Sequence, residues 1–171
     1  MPRMIRSFLI STCAALLALS WALPAHAQQD REETFKDWTL TCRGVEVGGS
    51  TRDICRVHQK GLAQNGQPMV VMEMGYEEGK EQLFGYFTVP LGVALSGRLR
   101  LAIDDGKTIA VPFVVCLKAG CKAAGPMEDD FENALKAGKK LKVGLVFING
   151  RQEVAELSLQ GVTAAIDALK K

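Results

Sequence analysis

The chain has 171 residues, 47% of them hydrophobic, with 21 Lys plus Arg against 19 Asp plus Glu. A chain of this size can bury a real core without metals, and a net charge of +2 excludes the basic footprint of a nucleic-acid-binding protein. The small excess lies in the first 27 residues, which hold Arg3 and Arg6 and no acid; without them the balance is 19 to 19.

Those 27 residues also carry an apolar stretch from Phe8 to Leu23 and close on Ala25-His26-Ala27. The pattern is that of a secretory signal peptide cleaved after Ala27 rather than of an anchor, because Ser11, Thr12 and Ser20 interrupt the run and Pro24 ends it. Cys13 sits inside the apolar run, the wrong place for a lipidated cysteine. No later segment reaches the roughly 20 apolar residues of a spanning helix. The expected address is the periplasm or the outer surface, where Cys42, Cys55, Cys116 and Cys121 remain as an even set in an oxidising compartment. Residues 28–33 are polar and charged without apolar periodicity and are expected to form a flexible lead-in. Residues 34–171 are expected to form a single domain.

Structure is expected to begin near Phe35. Trp38, Leu40 and Cys42 share a parity, which predicts an opening strand over 37–43. Three turn signals then organise the chain: Asn65-Gly66, Asp105-Gly106 and Asn149-Gly150, each able to supply positive φ at a hairpin centre. Ile54 to His58 and Met69 to Met74 flank the first, and the consecutive Val70, Val71 and Met72 suit a strand covered on both faces. Leu83 to Val89, rich in aromatic and β-branched residues, predicts a central strand. Around the second turn Leu99, Leu101 and Ile103 alternate with wetter positions, answered by Ile109, Val111, Phe113 and Val115. Around the third, Leu141, Val143, Leu145 and Phe147 are answered by Ala155, Leu157 and Leu159. The total is roughly eight strands.

Helix signals occur twice. Asp129 is placed to cap a short internal helix, with Glu132 three positions on, Phe131 and Leu135 one turn apart and Gly138 as the stop. Val162, Ala165, Ile166 and Leu169 fall at helical spacing near the C-terminus. Short antiparallel strands with two minor helices predict an all-β fold of the sandwich type.

Four cysteines allow three pairings, which spacing alone does not settle. The local pairing, Cys42 with Cys55 across a Gly-rich loop and Cys116 with Cys121 across Leu117-Lys118-Ala119-Gly120, is expected because turn chemistry already brings each pair together. Zinc is disfavoured: His58 is the one histidine beyond the leader, and thiols in this compartment oxidise. No metal and no cofactor is expected. Catalytic signals are poor as well. G-x-S-x-G is absent, and His58 lies in a strand. The pairs Asp104 with Asp105 and Asp129 with Asp130 are the acids a glycosidase would need, but a turn and a helix start account for them. Trp38, Tyr76, Tyr86 and Phe87 offer stacking surfaces for a sugar or peptide, with core packing the stronger expectation.

The order of pieces then matches a family. Phe35-Lys36-Asp37-Trp38-Thr39-Leu40-Thr41-Cys42, Cys55, Val89-Pro90-Leu91-Gly92-Val93, Ile103-Asp104-Asp105-Gly106, Pro112-Phe113 and the Cys116 to Cys121 loop resemble the invasion-associated locus B family. Ser158-Leu159-Gln160-Gly161-Val162-Thr163-Ala164-Ala165 is similar to that family's terminal segment, with Val162 where Phe is usual. The likeness spans the whole chain beyond the leader. It implies a secreted protein of Gram-negative bacteria with an immunoglobulin-like antiparallel β-sandwich, linked to host-cell invasion in pathogenic relatives, and it carries no catalytic residue set. The expected function is a non-enzymatic interaction module whose partner, protein or envelope or host surface, is unidentified. The alternatives are an envelope hydrolase using sheet-face carboxylates and an assembly subunit using an exposed strand edge.

Overall fold

The computed structural model describes residues 31–170; the expected leader, its expected cleavage site and residues 28–30 lie outside the described residues. The strands are β1 (Arg31–Phe35), β2 (Trp38–Val47), β3 (Ser50–Leu62), β4 (Pro68–Tyr76), β5 (Leu83–Val89), β6 (Leu99–Ile103), β7 (Thr108–Val111), β8 (Phe113–Leu117), β9 (Gly120–Pro126), β10 (Lys140–Val146) and β11 (Gln152–Ser158). Two helices, α1 (Asp129–Ala137) and α2 (Val162–Ala168), complete it. The all-β class holds. All described strands belong to one antiparallel sheet, in the order β7-β6-β10-β11-β3-β4-β5-β9-β8, with β2 and β1 added on β3. The hydrogen bonding therefore runs through a single sheet where the sequence led us to expect two.

That sheet nearly closes on itself. β7 and β8 stand at opposite ends of the strand order, yet Pro112 alone separates them. Proline cannot donate to a ladder, so the chain changes partners there: β7 pairs with β6 and β8 with β9, while the Pro112 carbonyl accepts from Ala124 N at 3.2 Å. A second seam lies between β11 and β3, joined by one pair, Glu156 with Leu62.

Side chains close that second seam. Trp38 is fully buried and its indole N–H donates to the Ser158 carbonyl at 3.0 Å. On the β3 side Gln59 donates from Nε2 to the Asp37 carbonyl at 2.8 Å, which fixes the residue before Trp38. Gly161 adopts φ 89° at the start of α2, where an added Cβ would stand 2.0 Å from the Phe35 carbonyl oxygen. Only glycine combines that conformation with that approach. The segments around Phe35–Trp38 and Ser158–Gly161 thus lock against each other.

Period-two burial places Trp38, Leu40 and Cys42 of β2, Leu83, Phe87 and Val89 of β5, and Leu141, Val143 and Leu145 of β10 in one continuous core. Burial of each such side chain contributes about 1.5–3 kcal/mol. In α2, Val162, Ala165, Ile166 and Ala168 are buried against it.

Several local expectations change. The stretch expected as a lead-in is strand from Arg31, because its backbone pairs with β2 from Arg31 opposite Cys42 to Phe35 opposite Trp38. The supposed Gly-rich loop is a tight turn at Gly48-Gly49 between long strands. β4 buries one face, with Val70, Met72 and Met74 inward and Val71 only half-buried. β9 is an added strand where a loop was expected to end. At Asp105-Gly106 the positive φ falls on Asp104, whose carboxylate accepts from the backbone N–H groups of Lys139 and Lys140 at 3.1 and 3.0 Å. In α1, Glu128 rather than Asp129 is the N-cap, without a side-chain cap bond, and Gly138 ends the helix in extended backbone.

Candidate functional site

The four cysteines form the expected local disulfides, Cys42–Cys55 and Cys116–Cys121. Both join residues directly opposite in antiparallel ladders, with Cα atoms 4.0 and 3.9 Å apart. Cys42 and Cys121 face the core, whereas Cys55 is half-buried and Cys116 is exposed on β8. They staple hairpins; no histidine or carboxylate completes a metal-binding group with them among the described residues.

Two clefts remain. One, of about 1070 Å³, opens where β11 and β3 part, and is lined by Asp37, Gln59, Lys60, Lys140, Glu156 and Leu159 among others. Its floor is structural. Gln59 is 9% exposed and spends its amide nitrogen on Asp37, while Lys140 pairs with Glu156 at 2.7 Å. The second, of about 650 Å³, lies beside Cys42–Cys55 and is lined by Arg31, Arg52, Arg56, Tyr76, Glu77 and Tyr86.

This second cleft holds a polar cluster that the sequence did not reveal. The Arg56 guanidinium lies over the Tyr86 ring at 5.1 Å and donates to the Cys55 carbonyl at 3.0 Å. Gly75, across the ladder, leaves room for it: a Cβ there would stand 2.5 Å from the guanidinium nitrogen. The Tyr86 hydroxyl donates to Glu77 Oε1 at 3.0 Å, and Lys80 pairs with the same carboxylate. The hydrogen bond from Lys80, then that from Tyr86, holds the Glu77 carboxyl below its ordinary value. Burial, followed by the Glu77 bond, raises the Tyr86 phenol. The one legible cue was the aromatic pair in β5; the partners arrive from β3 and the β4–β5 turn.

The other singled-out residues fall into place individually. Trp38 and Phe87 are spent in the core, at 0% and 1% exposure, while Tyr76 and Tyr86 are half-buried along the second cleft. Asp104 ties its turn to Lys139 and Lys140, and Asp105 pairs with Lys142 at 3.3 Å. Asp129 and Asp130 occupy the first turn of α1, favourable for negative charge. His58 lies 3.3 Å from the Thr41 hydroxyl.

Residues 38–170 match the family described as "Invasion associated locus B (IalB) protein". The chain is 30% identical to an invasion protein B homolog of Brucella abortus over 165 residues, covering 96% of this chain and 92% of the relative. It is also 30% identical to invasion protein B of Bartonella bacilliformis over 115 residues, 66% of this chain and 59% of that one. The crystal structure of invasion associated protein B from Bartonella henselae superposes with a TM-score of 0.69 at 26% identity, over 82% of this chain and 95% of that chain. With the match from Trp38 to Lys170 enclosing both disulfides and the Trp38 seam, the chain belongs to the invasion associated locus B family.

Proposed function

We propose that the chain is an exported, non-enzymatic envelope protein that works by binding, of the kind linked to host-cell invasion in its named relatives. The observation that carries this reading is the likeness to an invasion protein B homolog along nearly the whole of both chains. The chemistry of the acids supports it. The Asp104/Asp105 and Asp129/Asp130 pairs serve a turn and a helix start.

Location is the test. Protease added to intact cells of the native bacterium, against a periplasmic marker after outer-membrane permeabilisation, should remove the protein only where the marker is exposed if it is periplasmic, and earlier if it faces outward. Surface cleavage makes reduced uptake of a deletion strain by host cells the next expected result. Unchanged uptake of that strain would sink the link to invasion, and glycan hydrolysis by the purified protein would sink the non-enzymatic reading.

A further inference from the structure

The antiparallel sheet gives the molecule two chemically opposite ends. At one end lie the β5–β6 loop (90–98), the β8–β9 turn and the β10–β11 turn. Ile148 N donates to the Gly92 carbonyl at 2.9 Å and Ala94 N to the Val146 carbonyl at 2.8 Å, which ties the first to the third. Val89 pairs with Cys121, and the Gly120 Cβ position stands 2.4 Å from the Val89 carbonyl oxygen, which ties in the second. The β3–β4 turn (63–67) opens toward the same end, since Pro68 begins β4 and Val71 lies opposite Thr88 near the end of β5.

No Asp or Glu occurs in 54–72, 82–103, 106–127 or 139–152, so none of these four connections carries a carboxylate. They carry exposed cations instead: Arg98, Lys118 and Arg151, with Lys122 on the adjoining strand. Two acids border them: Glu153, which pairs with Arg151 at 3.6 Å, and Glu156, opposite Leu62. Large apolar side chains accompany them. Among the described residues those more than half exposed are Ile148 at 79%, Val114 at 66%, Leu91 at 55%, Leu117 at 54% and Leu95 at 53%, and all lie on these loops or on β8 beside them. The opposite end carries Glu77, Glu78, Glu81, Asp104, Asp105, Glu128, Asp129 and Asp130 in excess over Lys80, Lys107, Lys139 and Lys140.

We infer that the end formed by the 90–98 loop, the β8–β9 turn and the β10–β11 turn docks on an anionic phospholipid surface. Cations interleaved with aliphatic prongs match a layer whose outer face is phosphate and whose inner boundary is acyl chain. The prongs stand on separate loop tips, a projecting set suited to a deformable headgroup layer rather than a groove shaped for one peptide. The acidic end points away from the same negative surface, so the charge distribution orients the molecule as well as attracting it. This inference is independent of the invasion reading, because its test needs neither bacterium nor host cell.

The test is flotation of the purified oxidised protein from residue 28 onward, whose described part contains the whole core, with vesicles of phosphatidylcholine alone or mixed with phosphatidylglycerol. The protein should float with the mixed vesicles at low ionic strength, stay behind with pure phosphatidylcholine, and be released by salt. Lys118→Ser should weaken partitioning about fivefold, and Arg98→Ser with Lys118→Ser about twentyfold. Ile148→Ser, at an exposed tip that leaves the thermal midpoint unchanged, should weaken it by about tenfold. Lys107→Ser, in the β6–β7 turn at the acidic end, should change nothing. Equal flotation with both vesicle types, or equal loss in Lys107→Ser and Lys118→Ser, would overturn the inference. Absence of flotation would do so too, and self-association abolished by Ile148→Ser would then assign this end to a second copy of the chain.

Discussion

The β2–β3 and β8–β9 hairpins each carry a cross-strand disulfide and each stand where the sheet meets itself, yet the two closures are built differently. At β8 the chain itself carries the closure, running from β7 through Pro112 into a new partnership. Beside β2 and β3 the ladder thins to one pair between β3 and β11, and side chains complete the join. Along β8, Val114, Val115 and Leu117 are left exposed. A side-chain closure places its stability in a few residues, Trp38 foremost.

The sharpest way to break the comparison is Trp38→Ala. It removes a fully buried indole and orphans the Ser158 carbonyl, and should cost about 3–5 kcal/mol, read as a large drop in thermal midpoint; a mild loss would mean the β11–β3 seam does not depend on this side chain. Next, replacing Cys42 and Cys55 together with Ala should cost about 3 kcal/mol in the chain-entropy account, since the bridge spans a separation of 13 residues. The equivalent Cys116 and Cys121 double replacement, across a separation of 5, should cost about 2 kcal/mol. Its signature should be new protease cutting in the β8–β9 turn, with no specific chemistry lost. A double mutant as stable as its parent under oxidising conditions would remove that staple from the account.

The smallest effect is expected from Glu77→Gln. Because the folded carboxyl titrates below its ordinary value of 4.5, ionised Glu77 stabilises the fold above about pH 4.5, and that contribution is lost as pH falls through the lower folded value. The variant should therefore be slightly less stable than the parent near neutrality, with the difference vanishing at acid pH, so that its acid limb in a plot of thermal midpoint against pH is flatter. A flatter alkaline limb instead would point to Tyr86 as the group that matters.

Legibility along the chain followed how local the cause is. Asn65-Gly66 and Asn149-Gly150 were readable because each Asn side chain accepts from its own backbone two residues on, at 3.0 Å in both turns, while the Gly takes positive φ. The disulfides were readable for the same reason: each closes a hairpin. β1 and β9 were not. Arg31-Glu32-Glu33-Thr34-Phe35 has no apolar alternation, and Gly120 to Pro126 lacks β-branched and aromatic residues. Each is a strand because a neighbouring ladder supplies its hydrogen bonds. The Arg56 cluster was hidden because its members come from β3, the β4–β5 turn and β5, and meet only once three ladders are in register.

By itself the sequence determined the all-β class, the inward face of most strands, the tight turns, the local staples and the family, since each rests on period-two burial, turn chemistry or an ordered set of short segments. Tertiary structure alone decided that the strands join in one nearly closed sheet, that Trp38 seals its weak seam, and that carboxylates and cation-ringed aliphatic tips collect at opposite ends. Those outcomes depend on which distant strands pair and in what register. Pairing of that kind is set by the fit of whole faces to one core, and no single segment of the chain carries it.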